Sequence, residues 1–180
     1  MGDARIAVPR HVGVADGFSG LTARRVALTG FSDAAGTGVL PGRIGERTTV
    51  GNIGMGTITL DPPPGALLRD AIAADLTAAG HSVVAAGDPG VPTLNGQSVR
   101  FTITTPATAL YWDVTIDSAL SVRAGTGASA LTQTFTAQCK ERTYAFPGDA
   151  LIARVAAHCV DDLAGQVRGS AAIVQALDAP

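Results

Sequence analysis

The sequence predicts an α+β domain in which two helices pack on one face of a curled, mainly antiparallel sheet, giving two layers. Three observations lead there. Residues 61–84 hold an amphipathic helical pattern that passes through one glycine into a β-branched run. Residues 99–140 alternate apolar and polar side chains over three segments, and residues 146–177 return to helical spacing. An antiparallel meander with one wet face needs a helical layer against the other.

In the first helix Leu67, Leu68, Ala71, Ile72, Leu76 and Ala79 recur at helical spacing, with Arg69, Asp70, Ala73 and Thr77 between them. Asp61 and the prolines Pro62 to Pro64 are expected to cap its start, and Gly80 to stop it by taking the left-handed conformation. A strand over Ser82–Ala86 follows, then a turn at Gly87–Gly90.

Upstream, residues 1–23 mix Gly, Pro and single apolar residues without a period. They read as an irregular N-terminal arm, with one short extended piece at Val12–Ala15, ahead of a single domain over 24–180. Arg25–Phe31 is the first strand, patterned as a central strand covered on both sides. Ser32–Gly45 reads as a long glycine-rich loop, and Arg47–Val50 with Thr57–Leu60 as a hairpin around Gly51–Gly56. The stretch Asp33 to Gly56 is expected to be the most mobile part of the domain and its contact surface, with Asp33, Arg43, Glu46 and Arg47 as its interaction residues.

Downstream, Val99, Phe101 and Ile103 form one apolar set, and Leu110, Trp112, Val114, Ile116, Leu120 and Val122 a second. A turn at Ala124–Ala128 leads to the third, Leu131, Phe135, Ala137 and Cys139. Phe146-Pro147-Gly148-Asp149 opens a helix whose stripe is Leu151, Ile152, Val155, Ala156, Cys159, Val160, Leu163 and Val167, and a short helix over Ser170–Leu177 ends the chain. Val99–Thr104 and Thr57–Leu60 read as poorly protected sheet edges. Self-association or strand addition is therefore expected, unless the arm covers them.

Composition narrows the function classes. A net charge of −2 on 180 residues supplies no basic field for nucleic acid. No apolar run approaches the roughly 20 residues of a spanning helix, and the first residues show no leader. Gly36-Thr37-Gly38 and Gly51–Gly56 lack the lysine of a phosphate-binding loop and dinucleotide spacing, and no serine sits on a nucleophile elbow. His158, Asp161 and Asp162 fall within one helical turn but read as a solvated face, while His11 and His81 stand alone. No enzyme activity and no cofactor is expected.

The strand ending Phe31-Ser32-Asp33, the loop holding Ile44-Gly45-Glu46-Arg47, the helix-to-strand run Leu68–Val84, the strand Val99–Thr104, two long strands, a closing helix and a helical tail together resemble the YajG-type family of bacterial envelope lipoproteins, over residues 24–177. The resemblance implies an exported domain on the periplasmic side of the outer membrane. Its membrane attachment would be a lipid anchor upstream of residue 1. The implied role is protein interaction or envelope assembly with an envelope protein partner, and the alternative is a small-ligand or lipid-binding protein using a cleft between helices and sheet. Export also bears on Cys139 and Cys159, which both lie on inward stripes. They are two buried thiols or, in an oxidising compartment, a disulfide closing a loop of about 20 residues.

Overall fold

A computed structural model describes residues 2–34, 41–49, 53–85, 90–127 and 130–179. Among them the chain forms β1 (Ala4–Ala7), β2 (Arg25–Asp33), β3 (Arg43–Thr48), β4 (Gly54–Asp61), α1 (Pro64–Ala78) and β5 (Ser82–Val84). Then follow β6 (Thr93–Thr104), β7 (Trp112–Gly125), β8 (Leu131–Thr143), α2 (Asp149–Arg168) and α3 (Ala171–Asp178).

The α+β class holds, with two corrections: the short terminal helix joins the other two in the helical layer, making three helices on the sheet rather than two, and the sheet is mixed. The antiparallel part is β6–β7–β8, joined by short connections and paired along nearly its whole length, from Thr93↔Gly125 to Trp112↔Thr143. On its other side β6 serves two separate limbs. Its first half pairs in parallel with β2, which pairs in parallel with β5. Its far end meets β3 at Gly45↔Ile103, and β3 continues antiparallel to β4, which carries β1 in parallel. The parallel limb arises because α1 carries the chain across the sheet between β4 and β5, as parallel pairing demands.

The helices lie on one face, with α1 against β2 and β6, α2 against β7 and β8, and α3 against β7. Leu68, Ile72 and Leu76 of α1, Ile152 and Leu163 of α2, and Leu94, Ile116 and Leu120 of the sheet are all fully buried, so the space between helices and sheet is filled. The opposite face is polar and exposed, lined by Thr102, Thr104, Thr132, Thr134, Thr136 and Gln138. The stripe predicted for α2 is buried almost throughout.

Several local expectations are corrected. In the N-terminal arm the extended piece lies at Ala4–Ala7, paired with Ile58–Asp61, rather than at Val12–Ala15; residues 8–24 carry no helix or strand, but Phe18 and Leu21 enter the core. The arm is part of the domain. Asp61 does not cap α1, since Pro63 stands at the N-cap without a side-chain bond. Gly80 does stop the helix, with φ of 87° and the paired bonds His81 N to Leu76 O and Gly80 N to Thr77 O that mark a left-handed helix end. The first strand is inner but covered chiefly at Val26 and Ala27.

In β6 a bulge between Ser98 and Arg100 shifts the alternation, so Ser98 is buried and Val99 is 48% exposed. Neither expected edge is an edge, because β6 lies between β7 and the two limbs and β4 between β3 and β1. The outer strands are β1, β5 and β8. The long loop is shortened by β2 reaching Asp33 and β3 starting at Arg43; its residues 35–40, with Gly36-Thr37-Gly38, lie outside the described residues, as do residues 50–52 of the hairpin turn and 86–89 after β5.

Candidate functional site

The four residues expected to form an interaction loop are placed on three different tasks. Asp33 Oδ1 accepts from Gly65 N at 2.8 Å, so it holds the amino end of α1 from outside the helix. Burial raises its pKa, and the Gly65 bond opposes that only in part. Arg43 Nη2 and Glu46 Oε1 form a 2.6 Å ion pair on the surface of β3. Arg47 turns inward at 6% exposure, donates to Asp149 at the start of α2, and leaves its buried Nε without a partner.

Cys139 on β8 and Cys159 on α2 are disulfide-bonded, with Cα atoms 5.6 Å apart. The bond ties the outer strand of the meander to the helix that covers it.

The polar centre of the domain lies elsewhere, where the arm crosses the two long helices. Asp75 falls on the buried stripe of α1 and is 0% exposed. A carboxylate there needs partners, and three groups supply them: His11 Nε2 at 2.7 Å, Val14 N at 2.9 Å and Arg168 Nη1 at 3.2 Å. His11 does not stand alone, because its Nδ1 also lies 2.6 Å from Asp161 Oδ1 on α2. Gly13 lets the arm settle this closely: a Cβ there would lie 2.3 Å from Ala74 O. Both His11 nitrogens are thus engaged by carboxylates, which leaves neither open to a substrate.

A second carboxylate pins the arm further along. Asp178 at the end of α3 accepts from Thr22 N, Thr22 Oγ1 and Ala23 N, at 2.8 to 3.0 Å, while His81 Nδ1 lies 2.9 Å from Ala23 O. Burial pushes the Asp178 pKa up, and the Thr22 and Ala23 bonds more than reverse this, so it stands below the ordinary value. His158 and Asp162 are an exposed pair at 3.8 Å on α2. Among the described residues no group of three His, Cys, Asp or Glu side chains is placed to hold a metal.

At one end of the sheet, β6 leads to β7, β8 leads to α2, and the β3–β4 hairpin closes. Side chains there are large and outward: Ile53 is 65% exposed, Leu110 75% and Tyr144 78%. Tyr111 and Tyr144 meet edge to face at 6.4 Å, and the Arg142 guanidinium lies 3.8 Å from the Tyr111 ring centre. Arg142 and Lys140 both pair with Asp113, whose pKa they hold down at about 2. Beneath, Trp112 packs edge to face on Phe146 at 6.1 Å. Leu110, counted in the sequence as an inward strand residue, lies before β7 in a turn held by Thr108 Oγ1, which accepts from Leu110 N and Tyr111 N.

The signal for Asp75 was present in the sequence as an acid one turn after Ala71 on an apolar stripe. His11 had none, since its partners are 64 and 150 residues away.

No family model and no curated protein matches the sequence. Among solved structures the chain is similar to protein XCC0632 from Xanthomonas campestris, described with the family model DUF330, at 15% identity and a TM-score of 0.59. That match covers 91% of this chain and 94% of the other. It is also similar to an uncharacterized protein at 13% identity and a TM-score of 0.57, over 93% and 97% of the two chains. At these identities the likeness is one of fold.

Proposed function

We propose that the chain is a non-catalytic interaction domain of the bacterial cell envelope. In this reading it is held at the periplasmic side of the outer membrane by a lipid anchor upstream of residue 1, and engages a protein partner through the sheet end that carries Ile53, Leu110, Tyr111 and Tyr144. The observation that carries the reading is the gathering of outward Ile, Leu and Tyr side chains at one end of the sheet, against a face that, Val99 apart, is lined mainly by threonine, glutamine and charged side chains. Rigid aromatic groups of this kind anchor interfaces because they bury large areas at low entropic cost.

The Cys139–Cys159 disulfide supports the compartment, since such bonds persist outside the reducing cytosol. The YajG-type resemblance supports the same placement. Among the described residues no helix is long and apolar enough to cross a membrane.

The test is site-specific photo-crosslinking in the native envelope. A photoreactive residue at Leu110 or Tyr144 is expected to capture one discrete species, and the same residue at Thr134 on the open sheet face to capture none. Equal capture at all three positions, or capture only at Thr134, refutes the assignment of the surface.

A further inference from the structure

His11 lies on the arm with a carboxylate from a different helix at each of its ring nitrogens. Nε2 is 2.7 Å from Asp75 Oδ1 of α1, and Nδ1 is 2.6 Å from Asp161 Oδ1 of α2. A carboxylate has no proton to give, so each contact needs an N–H, and a neutral imidazole has only one. Both contacts stand together on the imidazolium.

The charged surroundings balance that cation. Asp75 faces it from α1, and Asp161 and Arg168 face it from α2, with Arg168 Nη1 3.2 Å from the second oxygen of Asp75. Arg10 of the arm borders the same depression of about 400 Å³. Two anions thus meet the His11 and Arg168 cations in a closed set, and loss of the His11 proton leaves it one charge short.

We propose that His11 is a pH-operated clasp: protonated, it fastens the N-terminal arm to α1 and α2 at once, and deprotonated it releases α2 while keeping its hold on α1. The asymmetry follows from exposure. The Asp161 side chain is 53% exposed and can turn to water, whereas that of Asp75 is 0% exposed and has only protein donors. The proton that leaves is therefore the one on Nδ1, and neutral His11 keeps Nε2–H on Asp75.

Burial pulls the His11 pKa down, and the bonds and charges of Asp75 and Asp161 outweigh it, setting the value above 6.5. A raised value means that the clasp is complete below pH 6.5 and opens as pH rises through the folded value. The device is thus closed in acid and half-open once pH exceeds the folded value.

Nitrogen-15 spectra of the histidines in the full chain, titrated with pH, test this together with amide exchange at Val14, whose N–H sits on Asp75. Expected are a His11 midpoint above 6.5, an Nε2–H neutral form, and unchanged Val14 protection through the transition. Asp161→Asn is expected to lower the midpoint by roughly one pH unit and to leave Val14 protected. A neutral form carrying its proton on Nδ1, a midpoint unmoved by Asp161→Asn, or Val14 losing protection along with the proton overturns one-sided release.

Discussion

On the β7–β8 side of the shared strand β6, the chain closes by local pairing and apolar stripes. Val114, Ile116, Leu120 and Val122 face Ile152, Val155, Leu163 and Val167 in one core, and a disulfide joins strand to helix. On the other side, the β2 and β3 limbs and the arm are assembled from short pairings, parallel except between β3 and β4, and carboxylates fix them from a distance. Asp33 holds α1, Asp75 holds the arm at His11 and Val14, and Asp178 holds it again at Thr22 and Ala23. The difference teaches that one sheet can be secured by two means. Burial works where periodicity is unbroken, and directional bonds work where the chain lacks a stripe to bury.

The comparison breaks most decisively at Asp75. Asp75→Ala strands the largely buried His11 and Arg168, and about 3–5 kcal/mol should be lost in a urea titration. A loss below about 1 kcal/mol would mean that packing alone seats the arm. On the other half, reducing the disulfide, which spans 20 residues of sequence, should cost about 3 kcal/mol by the loop-entropy argument, read as the shift between oxidised and reduced chains. The smallest of the three is Asp178→Ala, about 1–2 kcal/mol from lost bonds to Thr22 and Ala23. Because the Asp178 pKa is lowered, that contribution is present above its unfolded value of 3.8 and disappears as pH falls through the folded value. Stability curves of the wild type and Asp178→Ala should converge in acid, and a constant gap at all pH would remove the carboxylate from the account.

The same division explains what could be read from the residues. The α2 stripe and the β7 and β8 alternation are local periodicities, and local periodicity survives folding when the partner is the next element along. Val99 failed because a bulge shifts the phase by one residue without a glycine or proline to announce it. The place of β1 was missed because pairing of Ala4–Ala7 with Ile58–Asp61 leaves no trace in a four-residue window. The outward end of the sheet was half legible: Leu110 and Trp112 were visible as apolar strand residues, but the turn that projects Leu110 depends on Thr108, a contact no period encodes.

The arm's anchors lie in series along the chain, and if the domain hangs from its first residues, as proposed above, this has a mechanical consequence. A pull on the N-terminus is borne first by the four register pairs between β1 and β4, then by His11 on the helices, then by Phe18 N on the carbonyl of Arg168, and last by the Asp178 pins at Thr22 and Ala23. In the proposed tethered arrangement the arm would peel anchor by anchor, ahead of the β6–β7–β8 sheet and its disulfide, and so act as a graded release between tether and domain.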